Sequence, residues 1–211
     1  MTEQLPTPVY PARLEIDYTE QHDRVTSFFR LFMVIPIAIL SGILTSGANY
    51  EQSGQTARTS GGIVSGLFLA TLLMILFRQR YPRWWFDFAL ELARFSTRIG
   101  AYFALLTDQY PSTVEHQSVH LDFDYPDVEA DLNRWLPLVK WLLAIPHYIV
   151  LFFLSVFAVF AVIFAWFSIL FTGNYPRGVF DYVVGVGRWG LRVQAYAFLL
   201  VTDRYPPFAL T

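Results

Sequence analysis

Tyr81-Pro82-Arg83-Trp84-Trp85-Phe86-Asp87 opens a pattern that returns 94 positions later as Tyr175-Pro176-Arg177-Gly178-Val179-Phe180-Asp181. The match continues at the same offset through Arg94/Arg188, Arg98/Arg192, Ala101/Ala195 and Tyr102/Tyr196. Each copy follows an uncharged stretch of membrane-like composition. The spacing predicts two copies of one module, residues 1–111 and residues 112–211, joined in one compact membrane unit.

The composition fits that setting. The 211 residues are 55% hydrophobic and 18% aromatic, above the roughly 45–50% apolar content of an ordinary soluble domain. A formal net charge of -2 gives no bulk attraction to nucleic acid. With no cysteine, disulfides, thiol catalysis and thiolate metal sites are excluded. The first 21 residues are polar and contain prolines, which argues against a cleaved signal peptide.

Three windows carry no charge: between Arg30 and Glu51, between Arg58 and Arg78, and between Lys140 and Arg177. A hydrocarbon core of ~30 Å takes about 20 helical residues to cross. The first two windows fit one crossing each. The third, 36 residues long, is read as a helical hairpin turning near Ser155, with a single long tilted helix as the alternative. The expected fold is therefore mostly α and integral to the membrane, with four crossings in two tandem repeats.

Each module is expected to have four parts. The first is a short strand. Leu14, Ile16 and Tyr18 alternate with Glu15 and Asp17, and Leu121, Phe123 and Tyr125 alternate with Asp122 and Asp124, the period of a half-buried strand. Pairing the two strands covers an edge of each. The second part is an approach helix and crossing, in which Arg24 corresponds to Arg134, Arg30 to Lys140, and Ile35-Pro36 to Ile145-Pro146. A kink is expected at the prolines. The third part is a return crossing, over 62–77 and 156–171. The polar loop at 46–61 has no counterpart in the second module.

The fourth part is the repeated helix, 87–106 and 181–201. Asp87, Glu91, Arg94 and Arg98 form one charged stripe at helical spacing. Burying Glu91, Arg94 and Arg98 at the bilayer centre opposes insertion by roughly 8–10 kcal/mol, more than their apolar neighbours return. These helices are therefore expected to be amphipathic and interfacial. Basic residues cluster at the module ends and on these helices, which puts both termini and the acidic connector in the cytoplasm. The strand pair then lies on the cytoplasmic side.

The doubled residues are the candidate site: Arg83, Asp87, Arg94, Arg98 and Tyr102, with Arg177, Asp181, Arg188, Arg192 and Tyr196. Arginine forks bind carboxylate and phosphate alike. The set reads either as a structural brace or as a two-fold site for an anionic lipid headgroup or acidic partner. His147, beside Pro146, is an ionisable residue at membrane depth and a candidate polar site. His116 and His120 have helical metal-ligand spacing, but His120 opens a strand, so no metal is expected. Gly185-Val186-Gly187-Arg188-Trp189-Gly190 matches a dinucleotide fingerprint, yet falls inside a helix and lacks its context. Small size for packing is the better account, and Gly62-x-x-x-Gly66 suggests close helix contact. Trp84, Trp85, Trp135, Trp141 and Trp189 read as interfacial anchors.

The chain resembles an uncharacterised domain-of-unknown-function family of prokaryotic multi-pass membrane proteins. The resemblance rests on Tyr10-Pro11-x-Arg13-Leu14-x-Ile16-x-Tyr18, Arg24, Phe29-Arg30-Leu31-Phe32, Ile35-Pro36, Leu142-x-x-Ile145-Pro146-His147 and the duplicated YPR, FD and RxxxR elements. The second module departs from it at its start, where Ser118-Val119-His120 replaces Tyr-Pro-x-Arg. The resemblance implies a multi-pass membrane location and no assigned activity; the expected membrane is the prokaryotic inner membrane.

No catalytic constellation is visible. The functional expectation is a non-enzymatic accessory or scaffolding subunit, packed against another membrane protein or itself, with no cofactor. The alternatives are a small transporter or channel made by a homo-oligomer, and a protein that binds or modifies lipid through its arginine stripe.

Overall fold

The computed structural model describes residues 10–45, 49–52, 55–58, 62–112 and 117–211. It is mostly helical, with a small antiparallel sheet of two strands, β1 (Ala12–Ile16) and β4 (Val119–Phe123). Leu14 pairs with Leu121, and Asp17 N–H and Asp124 N–H extend the ladder to the Ser118 and Pro11 carbonyls. The alternation follows the expectation at Leu14, Leu121 and Phe123, whereas Tyr125 is exposed and lies beyond β4. Ala12, Leu14, Val119, Leu121 and Phe123 are buried, while Asp122 and Asp124 face outward around Arg13.

The sheet lies on two amphipathic helices, α3 (Arg83–Phe103) and α7 (Arg177–Ala197). Each strand packs on the terminal helix of the other half: β1 on α7 and β4 on α3. The buried faces of these helices join the strands in the principal core. Between them in sequence come α4 (Val128–Asp131), capped by the Asp127 carboxylate, and α5 (Pro137–Leu143).

The apolar helices are α1 (Arg24–Thr45), α2 (Ile63–Leu73) and α6 (Ile145–Thr172). α2 continues as a π-helical turn, Met74–Arg78, and stops at Gln79, whose φ is +45°. A β-hairpin, β2 (Asn49–Gln52) with β3 (Gln55–Arg58), lies between α1 and α2. α1 continues through Pro36. In the second half, by contrast, the chain breaks at Ala144, just before Pro146, and α6 starts there.

α6 corrects one expectation. No hairpin turns near Ser155; the helix runs unbroken for 28 residues, and 156–171 is its second half. After Pro146 the segment has no glycine, proline or asparagine before Gly173. It also has no sequence counterpart of the polar segment 46–61. α6 ends where Gly173 takes φ +81°, the left-handed cap that glycine adopts without a Cβ penalty. Among the described residues α6 is long and apolar enough to cross a membrane, and 11% of its apolar window is buried. At 1.5 Å per residue it is about 42 Å long, more than the ~30 Å hydrocarbon thickness. Phe152, Phe153, Phe157, Phe160, Phe164 and Phe167 are all exposed along it.

An unbroken α6 makes a direct prediction. With spin labels at Ile145→Cys and Phe167→Cys, the 22 intervening steps separate the helix-axis positions by about 33 Å. A hairpin at Ser155 would bring those positions to the ~10 Å of neighbouring helices. Pulsed electron resonance on the otherwise cysteine-free chain distinguishes the two.

Candidate functional site

The doubled arginines meet backbone carbonyls. Arg94 Nε donates to the Leu121 carbonyl of β4 at 2.8 Å, and its fork also meets Glu91 and Asp122. Arg188 Nε donates to the Leu14 carbonyl of β1 at 3.0 Å. Arg98 donates to the Ser112 carbonyl, and Arg192, buried, to the Ala209 and Thr211 carbonyls. Each arginine pair therefore ties an amphipathic helix first to a strand and then to the segment at Ser112 or at Ala209 and Thr211. Charge-assisted bonds of this kind are stronger than neutral ones.

The start of each repeated helix is built alike. Arg83 lies 3.6 Å from Asp87 and Arg177 lies 3.2 Å from Asp181, both pairs exposed. The Arg83 guanidinium stacks 4.8 Å over Tyr125, and that of Arg177 4.4 Å over Tyr18. Tyr125 in turn donates its hydroxyl to the Tyr81 carbonyl, and Tyr18 to that of Tyr175. Exposed ion pairs contribute little stability; cation–π stacking on a fixed ring does more to orient these guanidinium groups.

Tyr102 and Tyr196 are almost fully buried beneath two buried cations. The Arg30 guanidinium sits 4.5 Å from the Tyr102 ring centre, and Lys140 Nζ 5.2 Å from that of Tyr196. Arg30 donates to the Tyr102 and Thr107 carbonyls and pairs with Asp108. Lys140 donates to the Thr202 carbonyl at 2.8 Å and pairs with Asp203 at 2.6 Å.

These acidic partners were absent from the sequence-derived set. Their signal is a second repeat, Thr107-Asp108-x-Tyr110-Pro111 and Thr202-Asp203-x-Tyr205-Pro206, at an offset of 95 rather than 94. Leu105 and Leu200, at that same offset, both take left-handed backbone, with φ +64° and +56°. Each turns the chain from the helix end into the Thr-Asp pair.

Asp108 also accepts from His22 Nδ1 at 2.9 Å and from the Asp23 N–H at 3.1 Å. Burial raises the Asp108 carboxyl, but the His22 bond and charge, the Asp23 N–H and Arg30 outweigh it and bring the value down to about 2. Burial pushes the Lys140 ammonium down, opposed by Asp203.

His147 is fully buried. Its Nδ1 accepts from Trp189 Nε1 at 3.1 Å, and its ring stacks on Phe208 with centroids 4.0 Å apart. Its Nε2 is buried without a hydrogen-bond partner among the described residues, and Trp189, expected at the interface, is buried with it. Trp84, Trp135 and Trp141 are exposed, whereas Trp85 is half-buried and donates to Thr71. Gly185 sits inside α7, where a Cβ would come within 2.9 Å of Leu210; close packing explains the glycine. Among the described residues nothing lies close to a Cβ placed on Gly66, so no close helix contact is seen there. His120 lies 3.4 Å from Asp17, and among the described residues no group of metal-ligating side chains gathers. His116 lies outside the described residues.

Residues 135–209 match a family model described as Domain of unknown function (DUF4389). The matched stretch holds Lys140, α6, α7 and Asp203. Among curated proteins and solved structures nothing matches the chain.

The Asp108 cluster has a pH consequence. An aspartate whose value is lowered in the fold stabilises it above its ordinary 3.8, and that contribution is lost as pH falls toward about 2. Thermal unfolding in detergent should therefore show stability falling between about pH 4 and about pH 2. Asp108→Asn should be less stable at neutral pH and flatter across that window.

Proposed function

We propose that the protein is a non-enzymatic integral membrane protein of the prokaryotic inner membrane, an accessory or scaffolding subunit built from two copies of one module. The observation that carries this reading is the division of labour among its surfaces. Arg94, Arg98, Arg188 and Arg192 are bonded to the protein's own carbonyls, while Arg83 and Arg177 pair with Asp87 and Asp181 at the surface. The six phenylalanines of α6 stand exposed. An exposed apolar face of that extent marks a lipid or protein contact. The matched contacts of the two halves support the duplicated module.

The sheet and its acidic rim face water in this reading, with both termini cytoplasmic. α1 and α2 form a hairpin entering the bilayer. The first half of α6 runs antiparallel beside α7, with Leu154 by Tyr182 and His147 by Trp189. It therefore shares the depth of Arg188 and Arg192. A central arginine costs about 2.5–3.5 kcal/mol on the insertion scale, which keeps that pair of helices near the interface. α6 then offers its phenylalanine face to the hydrocarbon or to a partner helix.

Two experiments test this. Single cysteines replacing Gln55 and Asp124 should react with a membrane-impermeant maleimide from opposite sides, Gln55→Cys from outside and Asp124→Cys only after the cytoplasmic face is opened. Labelling of both from one side contradicts the arrangement. For the scaffold, a photo-crosslinker placed at Phe157 should yield one protein adduct of defined mass in native membranes, at twice the chain mass for a homo-oligomer. Adducts with lipid alone would remove the scaffold and leave a protein that contacts only acyl chains.

A further inference from the structure

We propose that a cleft between α1, α6 and α7 holds one acyl chain of a bilayer phospholipid. The proposal rests on the membrane reading above. The cleft has a volume of about 780 Å³ and is lined almost wholly by apolar side chains, within the ~300–1,000 Å³ usual for ligand sites. Its rim includes Phe28, Phe103 and Phe167, all exposed, so the opening lies on the apolar surface rather than among the charged residues.

The place related to it by the 94-residue offset supplies an internal control. Phe68, Leu92 and Phe198 line a much smaller space of about 50 Å³. Their counterparts at the 94-residue offset, Val162, Val186 and Ala104, line the large cleft. In the first location the rings of Phe68 and Phe198 pack edge to face, 5.9 Å apart, and fill the space. In the second, valine and alanine stand in their places and the space stays open. Protein interiors are close-packed, and apolar voids left by missing side chains are destabilising. Hydrocarbon from the surrounding bilayer restores those contacts.

The cleft also has a polar end. Ser27 and Arg30 are buried in its wall, and Ser27 Oγ and Arg30 Nε lack hydrogen-bond partners among the described residues. Arg30 already pairs with Asp108, so a neutral acceptor is suited to this end better than a second full anion. An ester carbonyl at the head of an acyl chain has that chemistry.

The test uses the full chain in vesicles of a single phosphatidylglycerol, with a parallel arm containing free palmitate. The protein is extracted in mild detergent and examined by native mass spectrometry. The wild type should retain one phosphatidylglycerol. Val162→Phe with Ala104→Phe copies the filled half; it should insert normally and retain about tenfold less lipid or lower. Val186→Leu, which copies Leu92, is a milder filling change that should weaken retention in the same direction if the double variant fails to fold. As a second readout, brominated-acyl phosphatidylglycerol should quench Trp166, which lines the cleft, measured as the difference between wild type and Trp166→Phe.

Equal retention in wild type and a folded filled variant overturns the proposal, as does retention of palmitate without phosphatidylglycerol. A wild type that inserts but retains no lipid overturns the cleft alone. A wild type that never enters the vesicles overturns the membrane reading with it.

Discussion

Arg30 and Lys140 are nearly sealed from solvent, and an ion in that position costs several kcal/mol unless partners surround it. The partners come from far along the chain. Arg30, on the first apolar helix, needs the carbonyls of Tyr102 and Thr107 and the carboxylate of Asp108. Lys140, just before α6, needs the Thr202 carbonyl and Asp203. Each cation can be satisfied only if the amphipathic helix closes back onto the apolar one. The aromatic ring beneath each cation, Tyr102 or Tyr196, fixes the approach. Removing one partner would leave an uncompensated buried charge, the expensive case for such pairs.

The strand exchange locks the two closures together. Arg94 bonds to β4 and Arg188 to β1, while β1 and β4 pair with each other. Neither half can therefore complete its own polar network without the other's strand. The strand pair and its two arginines thereby tie the two halves of the chain to each other.

Much of this was legible in the sequence, for identifiable reasons. Period-two alternation around Leu14 and Leu121 gave the strands, because one face is buried and the other carries charge. The 94-residue offset gave the arginines. The Thr-Asp pairs escaped because one extra residue between Ala197 and Leu200 shifts them to offset 95. Two other readings failed where composition does not encode depth. Trp189 looks like any interfacial tryptophan, yet its indole is used inside the fold by His147. The length of the third uncharged window suggested two helices, but length does not make a turn; without a loop-forming segment the helix simply continues.

That missing loop has consequences beyond α6. In the first half α2 packs against α1, and its Phe68 meets Phe198. The second half runs straight, and its end is pinned elsewhere: Gly173 gives its carbonyl to the His22 N–H, and Trp166 donates to the Ser27 carbonyl. α6 is thereby held to the start of α1 at one end and, through α5 and Lys140, to the end of α7 at the other. A helix fixed at both ends cannot tilt inward to close a gap along its middle. The residues there, Val162 and Ala104, are too small to fill it from either side. The asymmetry between the halves is thus a joint result of loop length and side-chain volume, and it leaves open space in the half whose helix is least able to move.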